Sequence, residues 1–397
     1  MSMPVTDVHA DTSQTNTPRL RLEFLDGLRG LAALYVVLFH AYQVTTFNDA
    51  RVDAALVWRV GHPAVSVFIV LSGYCLMLPI VRSGNGRLRG GVGEYLRRRA
   101  QRILPPYYAA LVLGVLFLAA AHVAKYRSGV ALHDKVLALH LSPGSLLSHL
   151  FLVHNLNPVW VETIDVPMWS VATEWQIYFF LPALLLPVWR RFGGLAALAM
   201  GFVAGLLPHY LLAPAHNFDW ACPWYLGLFA LGMAGTAIAF SPQPTASAWR
   251  EHLPWGGLAA ALFLLLGALI VFLPDAWAAG LVWEMDGLAG TATTCLILCG
   301  TVLVTRPHAA RPALLQVLEA RQTLWLGAIS YSLYLVHYPI LNKAAQVLAA
   351  KPLPLAERLA IIYLFGAPLA IGLSYLFYLA FEKRFTARPA LPEVILN

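Results

Sequence analysis

Two polar residues at the start of the first long apolar run, Arg29 and His40, have a spacing that suits a chemical site. They are eleven residues apart, and eleven residues of α-helix turn through about 1100°, within about 20° of three full turns. Both side chains therefore project from the same face of the helix, about 16 Å apart along its axis. If this run crosses a membrane, His40 lies near the midplane, where an ionisable residue indicates a functional site.

A desolvated, neutral imidazole at His40 is a suitable general base near neutral pH. The alternative is a histidine that only hydrogen-bonds a neighbouring helix. Arg29 also has an alternative, because an arginine at a helix start can serve only as a topology anchor. Two glycines in the segment Leu25–Gly30 allow backbones to approach closely where this helix begins.

A second candidate site is the arginine-rich segment 97–102. Arg98 and Arg102 have i,i+4 spacing, and Arg99 and Arg102 have i,i+3 spacing, so one helix face carries three guanidinium groups. Guanidinium forks match the geometry of phosphate. This face therefore predicts a site for an anionic cytoplasmic ligand or lipid headgroup, with a simple positive-inside anchor as the alternative.

Glu174 lies about two turns inside the outer edge of another apolar run, in a segment that opens with Trp169. A carboxylate at that depth is costly unless it is paired or hydrated, so Glu174 is a second catalytic candidate. Trp169 also fits the aromatic belt of a membrane interface. Ser72 and Tyr74 interrupt the second apolar run at mid-membrane with small and polar side chains.

A last polar group combines Ser330, Tyr334 and His337, followed by Pro339. The first three residues have i, i+4, i+7 spacing and share one helix face. Hydrogen bonding between helices explains such a group as readily as substrate binding does. Pro339 can kink the helix beside it.

The elements that position these residues are transmembrane helices. The chain has 397 residues, is 59% hydrophobic and only 12% charged, against about 25% charged in soluble domains. Apolar stretches recur along it, so we predict an all-α, polytopic integral membrane protein with about ten spans. They are expected near 28–46, 60–81, 103–124, 168–189, 193–213, 222–240, 254–273, 284–305, 324–350 and 357–382.

Charge and cysteine content narrow the function classes. The net charge of +7 comes from basic residues in short loops, so it indicates topology and not a nucleic-acid partner. Most of the 27 Lys and Arg residues fall on the side of the termini, which the positive-inside rule places in the cytoplasm. The four cysteines lie in apolar segments without metal-ligand spacing, so no metal site is predicted.

The predicted organisation has three parts: a disordered cytoplasmic tail at 1–23, a membrane domain at 24–385 and a short cytoplasmic tail at 386–397. The longest non-cytoplasmic segment is about 125–167. Its apolar stretch Leu146–Val153 is too short to span, so we interpret it as an interfacial or re-entrant element that caps the outer face.

Several of these motifs, in this order, resemble the acyltransferase-3 family of integral membrane O-acyltransferases over about 24–385. The resemblance includes the family's pattern of an Arg followed by a His after ten residues, which Arg29 and His40 match. The residues that carry it are Phe24–Gly30 with His40, Ser72–Tyr74, Arg99–Arg102, Trp169-Ser170 with Glu174, and Ser330–His337.

The resemblance implies a multi-pass enzyme of the cell inner membrane, of the stand-alone type without a fused periplasmic domain. It implies transfer of an acyl group such as acetyl from acyl-CoA to a hydroxyl of a carbohydrate acceptor, with no tightly bound cofactor. A cell-surface polysaccharide or a lipid-linked glycan is the expected acceptor, and a small glycosylated metabolite such as an antibiotic sugar is the alternative. No signature of oligomeric state is present.

The expected roles follow the expected depths, with the arginines at the cytoplasmic mouth, His40 midway and Glu174 toward the outer face. His40 would act as general base or carry the acyl group covalently, and Glu174 would orient the acceptor or accept a hydrogen bond from an imidazole. The remaining candidates are Arg29, Arg98, Arg99 and Arg102 for the phosphates of CoA, and Ser72, Tyr74, Trp169, Tyr334 and His337 for the acceptor.

Two other function classes are compatible with part of this pattern. Intramembrane His and Glu residues also mark proton-coupled transporters and flippases, which move a substrate unmodified. A scaffold protein without catalytic activity does not explain why His40 and Glu174 lie within membrane spans. Release of CoA from acetyl-CoA in the presence of an acceptor separates the enzyme from both.

Overall fold

A computed structural model describes residues 22–46, 54–128, 141–212, 218–274, 280–306 and 311–385. Within these ranges all regular structure is helical, and ten helical segments are long and apolar enough to cross a membrane. The prediction of an all-α, multi-pass protein with about ten spans is confirmed. Most of the two predicted tails, and residues 129–140 of the predicted outer loop, lie outside the described residues. The sidedness of the termini stays a prediction.

The helices are numbered here in chain order. Short 3-10 turns occur at His154–Leu156 and Asp219–Ala221, and π-helical turns at Leu181–Leu185, Ile362–Gly366 and Tyr378–Glu382 continue the fourth and tenth spans. The helices are α1 (Glu23–Thr46), α2 (Ala54–Arg82), α3 (Gly91–Ser128), α4 (Pro143–Leu150), α5 (Met168–Phe180), α6 (Leu186–Phe192), α7 (Gly194–Leu211), α8 (Tyr225–Phe240), α9 (Pro244–His252), α10 (Trp255–Phe272), α11 (Val282–Thr305), α12 (Ala313–Leu318), α13 (Arg321–Ala349), α14 (Leu355–Ile361) and α15 (Ala367–Phe377).

Helix α3 is longer than the apolar pattern predicts. It begins at Gly91, whereas the predicted span begins at 103, so the arginine-rich segment forms its first turns. Gly90 and Gly91 have φ values of 76° and 78°, a conformation that glycine adopts without strain, and they start the helix there. Hydropathy detects only the apolar part of such a helix. The first turns of α3 are polar, so they lie outside the stretch that hydropathy identifies as a span.

Helices α1 and α13 run parallel and form the central pair of the bundle. Their backbones touch at glycines: a Cβ on Gly327 would lie 2.1 Å from the carbonyl oxygen of Asp26, and one on Gly30 would lie 2.5 Å from the Gly327 nitrogen. In membranes, small residues at such contacts permit the van der Waals packing that holds helices together. The contact fixes the register in which His40 faces α13.

Residues 141–167, called the cap below, cover one end of the bundle. Helix α4 is too short to cross a membrane, which agrees with an interfacial or re-entrant interpretation. The Tyr107 and Tyr108 hydroxyls of α3 each donate a 2.9 Å hydrogen bond to a carbonyl at the end of α4. Gln176 of α5 donates another to the Leu152 carbonyl. We call this end of the bundle the cap end, and the opposite end, where α3 begins, the arginine end.

Candidate active site

The centre of the candidate site is a buried pair of histidines between α1 and α13. His40 Nδ1 lies 2.8 Å from His337 Nε2, although the residues are 297 positions apart in sequence. His337 is fully buried and His40 is 9% exposed. Sequence analysis assigned His337 to the acceptor; the structure places it directly against the proposed base.

The hydrogen bonds of this pair determine which nitrogens carry protons when both rings are neutral. His337 Nδ1 lies 2.8 Å from the Leu333 carbonyl oxygen, which can only accept, so His337 Nδ1 carries the hydrogen. Its Nε2 is then an acceptor, and His40 must donate through Nδ1. This assignment follows from the hydrogen-bond network and leaves Nε2 of His40 unprotonated. The arrangement provides a base or nucleophile of fixed orientation.

His40 lines a small cavity at the cap end of the bundle. The cavity has a volume of about 60 Å³, several times the ~10–15 Å³ that one water molecule needs. It can therefore hold a hydroxyl group or an acetyl-sized group beside the ring. Helices α1, α2, α5 and α13 and the cap supply its walls, which are Val36, Phe39, His40, Gln43, Gly61, Val65, Glu162, Val166, Pro167, Trp169 and Tyr334.

Two predicted acceptor residues, Trp169 and Tyr334, belong to this wall. Tyr334 is held in place by a 2.5 Å hydrogen bond between its hydroxyl and that of Ser170. Glu162 adds a carboxyl from the cap, and partial desolvation raises its pKa although the side chain remains exposed. The cavity thus combines aromatic surface with groups that can accept hydrogen bonds from hydroxyls.

The second centre lies at the arginine end and contains the other predicted catalytic residue. Arg29 pairs with Asp26 at 3.0 Å, and its guanidinium also lies within the electrostatic reach of Glu174. Glu174 accepts a 2.6 Å hydrogen bond from the Tyr178 hydroxyl, which is 3.2 Å from the Ser72 hydroxyl. Ser72 is thus connected to Glu174 through Tyr178 and does not line the histidine cavity.

Glu174 lies about two turns inside the fourth span, which begins at Met168 beneath the cap. It is also within electrostatic reach of Arg29, and its hydrogen-bond partner is a tyrosine and not an imidazole.

The arginines of α3 divide into two groups. Arg98 donates hydrogen bonds to Glu94 at 3.3 Å and to the Arg89 carbonyl at 2.8 Å, so it is directed away from Arg29. Arg99 and Arg102 form no hydrogen bond or ion pair with any described residue, and Nε of Arg99 is buried. The Arg102 charge is within electrostatic reach of Arg29, Arg99 and Glu382. Two partly buried, unpaired guanidiniums form a candidate anion site.

Tyr74 lies apart from both centres. Its hydroxyl is 2.8 Å from that of Thr301, and the side chain is fully buried between helices. This is the interhelical hydrogen bond that was the alternative explanation for such polar interruptions. Among the described residues, no group of three or more His, Cys, Asp or Glu side chains is placed to hold a metal ion.

Four residues of these centres were missed by sequence analysis. Gln43 and Tyr178 could have been found, because they lie three and four residues after His40 and Glu174 on the same helix faces. Glu162 carried no local signal, because the fold of the cap alone brings it to the cavity. In the sequence, Glu382 is only the last residue of the tenth predicted span. In the structure, a π-helical turn directs its carboxylate to the Ser332 backbone NH at 3.0 Å.

Comparison with known proteins adds a family match. The family described as "Acyltransferase domain" matches residues 22–379, which is nearly the whole chain. That range includes the residues of both centres from Arg29 to His337 and ends shortly before Glu382. No solved structure matches the chain.

Curated relatives are more distant. The chain is 23% identical to "Peptidoglycan O-acetyltransferase OatA" of Listeria monocytogenes over 84% of its own length and 51% of that protein. It is 26% identical to "Acyltransferase MdmB" of Streptomyces mycarofaciens, covering 84% and 83%. "Putative peptidoglycan O-acetyltransferase YrhL" of Bacillus subtilis is 27% identical, covering 81% and 49%. The chain therefore spans about half the length of two of these relatives.

Proposed function

This chain belongs to the acyltransferase domain family, and from that premise we propose that it transfers an acyl group, such as acetyl, from acyl-CoA to a hydroxyl of a carbohydrate. The observation that carries the proposal is the hydrogen bond between His40 Nδ1 and His337 Nε2, which leaves His40 Nε2 free as a base beside a cavity. Two relatives named as peptidoglycan O-acetyltransferases support O-acetylation and a glycan acceptor.

In the proposed reaction, His40 Nε2 removes the proton of the acceptor hydroxyl as its oxygen attacks the thioester carbonyl carbon. A C–O bond forms, the C–S bond breaks, and the proton passes from the imidazolium to the leaving thiolate. His337 keeps His40 in the required tautomer through the 2.8 Å hydrogen bond. A positioned general base contributes about 10²–10⁴-fold to such a step. Attack by Nε2 itself, giving an acyl-histidine, is the covalent variant.

The donor is proposed to bind at the arginine end. Arg99 and Arg102 are the residues that would hold the phosphates of CoA, because their guanidiniums have no partner among the described residues. Arg29 lies between them and His40, about 16 Å from it along α1, and the long pantetheine arm of CoA could extend over this distance. Glu174 would hold Arg29 and Tyr178 in position. Arg98 is not assigned this role, because its guanidinium is already bonded to Glu94.

The acceptor is proposed to enter from the cap end, which would be the outer side if the termini are cytoplasmic. Trp169, Tyr334 and Glu162 line the cavity there and can contact a sugar ring and its hydroxyls. Donor and acceptor would then reach His40 from opposite ends of the bundle, in the inner membrane of the cell.

The test measures CoA release and acyl transfer by the purified protein in nanodiscs, with labelled acetyl-CoA and a mixture of surface glycans. We expect His40→Ala to lose about 10²-fold or more in transfer. His252→Ala is the matched control, because His252 is exposed on α9 and far from both centres in sequence. Transfer by His40→Ala close to that of the control would reject the assignment. A wild-type protein that binds glycans but never releases CoA would favour transport.

A further inference from the structure

The proposed acyl transfer leaves one atom without a partner. This atom is the carbonyl oxygen of the thioester, which becomes negatively charged when the acceptor oxygen adds to the carbonyl carbon. Enzymes that transfer acyl groups stabilise such an oxyanion with fixed hydrogen-bond donors, and removal of one of them lowers kcat by about 10²–10³-fold. His40 has its own tasks, because Nε2 takes the acceptor proton and Nδ1–H is bonded to His337. A side chain that stabilises the oxyanion must therefore come from elsewhere in the wall of the His40 cavity.

Chemistry excludes most side chains of the cavity wall as this hydrogen-bond donor. Valine, phenylalanine, proline and glycine have no polar hydrogen in the side chain, and a carboxylate only accepts. Tyr334 has a hydroxyl, but its hydrogen is already used. The Ser170 hydroxyl donates to the Pro167 carbonyl at 3.2 Å, so Tyr334 is the donor in the 2.5 Å contact between the two hydroxyls. The remaining candidates are Gln43 and Trp169.

Gln43 places an amide on the same helix face as the base. Val36, His40 and Gln43 have i, i+4, i+7 spacing on α1, and all three line the cavity. A round cavity of about 60 Å³ is about 5 Å across, so one small group inside it can contact both polar side chains. The carbonyl of an acetyl group beside His40 is therefore within reach of the Gln43 amide.

The hydrogen bonding of Gln43 favours a functional role over a structural one. Its Oε1 atom is buried, yet neither polar atom of the amide has a hydrogen-bond partner among the described residues. A buried polar atom in this state destabilises the fold and calls for an explanation. The torsion that ends in the amide is soft, so rotation can direct the NH2 group at a carbonyl in the cavity. Trp169 instead packs against the Tyr225 ring, with centroids 6.2 Å apart.

We propose that Gln43 is a catalytic residue whose side-chain NH2 donates a hydrogen bond to the oxyanion of the tetrahedral intermediate. This inference rests on the proposed function, because it assigns a further residue to that reaction. The acceptor oxygen bonds to the carbonyl carbon, the π electrons of the carbonyl move onto its oxygen, and His40 Nε2 holds the acceptor proton. When the C–S bond breaks, the carbonyl forms again and the proton passes to the leaving thiolate. The amide stays neutral throughout and exchanges no proton.

The kinetic test compares Gln43→Met with a matched control, Gln346→Met, using acetyl-CoA and the mixture of surface glycans on protein in nanodiscs. Methionine is close to glutamine in length and shape but has no hydrogen-bond donor. Gln346 is exposed on α13 and is not part of the cavity wall. We expect Gln43→Met to lower kcat about 10²-fold, with KM for acetyl-CoA and for the glycans within about twofold of the control. Gln43→Asn keeps the NH2 group on a shorter stem and should recover part of the loss.

A stability measurement separates catalysis from packing. Gln43→Met removes a buried oxygen that has no partner, so its Tm should equal or exceed that of the wild type. A lower Tm would show that Gln43 supports the fold, and a raised KM for the glycans at unchanged kcat would show that it binds the acceptor. Either result would overturn the proposal. So would a loss of kcat in Trp169→Phe, which removes the indole NH, without a loss in Gln43→Met.

Dithioacetyl-CoA, in which sulfur replaces the carbonyl oxygen, gives an independent measurement. Sulfur accepts hydrogen bonds weakly, so this replacement should slow the wild type more than Gln43→Met, which has already lost the bond. We expect the ratio of kcat/KM for acetyl-CoA to that for dithioacetyl-CoA to be about tenfold smaller in the variant. Equal ratios would overturn this inference and leave the proposed function standing. If the wild type releases CoA from neither thioester, the proposed function fails and this inference fails with it.

Discussion

At the scale of single residues, protonation is determined by one backbone carbonyl. The Leu333 carbonyl fixes the hydrogen of His337, and His337 in turn fixes the hydrogen of His40. A base oriented in this way needs no reorganisation when it removes a proton. At the second centre, hydrogen bonding also distinguishes neighbouring residues. Arg98 is paired with Glu94, whereas Arg99 has no partner among the described residues.

Replacement of His337 tests its positioning role. In His337→Ala the acceptor for His40 Nδ1–H is lost, and the wrong tautomer becomes accessible, so we expect kcat to fall about 10²-fold with KM for acyl-CoA unchanged. Gln at this position retains an acceptor oxygen, so His337→Gln should recover part of the loss. A purely structural role would lower the folded yield and affect both variants alike, and steady-state kinetics on folded protein distinguishes the two cases.

Replacement of the arginines tests the division within α3. Arg99→Gln and Arg102→Gln should each raise KM for acyl-CoA about tenfold or more, because a bond to a charged group contributes ~1.5–3 kcal/mol. Arg98→Gln is the matched control on the same helix. Its partner is Glu94, and a surface ion pair of this kind contributes little to stability. Equal effects at all three positions, measured by acyl-CoA titration, would contradict the proposed donor site.

At the scale of elements, the parallel pair of α1 and α13 and the cap bring the chemistry together. Glycine contacts bring the two helix backbones close enough for a hydrogen bond between rings on different helices. The cap buries the start of α5 and closes the histidine cavity at its end of the bundle. Each of these elements has a role that its own hydropathy does not reveal.

The glycine contact predicts a large effect from one methyl group. A Cβ at Gly327 would meet the Asp26 carbonyl at 2.1 Å, so Gly327→Ala must separate α1 from α13. We expect a loss of ~1–3 kcal/mol in stability, seen as a lower Tm in detergent, together with loss of transfer. Gly267→Ala on α10 meets no atom within 4 Å, so it should leave the Tm unchanged or raise it. Similar Tm values for both variants would be incompatible with this packing.

The cap should depend on pH through its buried, stacked histidines. Burial lowers the pKa of His149 to about 4 and lowers the pKa of His154 well below its usual value. Unfolded histidine binds protons near pH 6.5, so these two groups destabilise the folded cap as the pH falls from about 6.5 toward 4. Asp165 acts in the opposite sense, because its raised pKa lets the folded state take up a proton first.

Hydrogen exchange of residues 141–167 between pH 7 and pH 5 measures this balance. We expect the acid-induced loss of protection to be steepest in Asp165→Asn, which lacks the opposing carboxyl. It should be shallowest in His154→Phe, which retains an aromatic ring but cannot take up a proton. The reverse order would show that these groups do not control the pH response of the cap.

At the scale of the whole molecule, two ionisable centres lie at different depths of an apolar bundle. Arg29 and His40 are about 16 Å apart on the same face of α1, with unpaired arginines at one end and the cavity at the other. This arrangement suits a reaction whose two substrates reach His40 from opposite ends of the bundle.

Sidedness can be checked with single cysteines and a membrane-impermeant thiol reagent. Ser83→Cys lies in the exposed loop before α3, and Val159→Cys lies at a 58% exposed position of the cap. We expect the first to be labelled only from the cytoplasmic side and the second only from the outer side. Wild type is the blank, because its four cysteines are buried or half-buried. Labelling of both from one side would invalidate the ten-span topology.

Local sequence patterns were sufficient to predict the membrane spans, the helix face that carries Arg29 and His40, and the family. Ten apolar runs predicted ten spans, and helical spacing placed Arg29 and His40 on one face, because both properties depend only on neighbouring residues. The motifs also predicted the family, which the match over residues 22–379 confirms. The length of α3 was underestimated, since its first turns are polar and lie beyond the apolar stretch.

Contacts between spans could not be predicted in this way. Lipid is as apolar as the helix surfaces, so hydrophobicity does not select which helices pair; close packing at small residues and interhelical hydrogen bonds do. Sequence by itself therefore determined the helices, the spacing of the polar residues within each and the chemical class they suit. Only the tertiary structure decided that His337 orients His40 and that Glu174 lies within electrostatic reach of Arg29. Those contacts join helices that are far apart in the sequence, whereas the pairing of Arg98 with Glu94 is local to one helix.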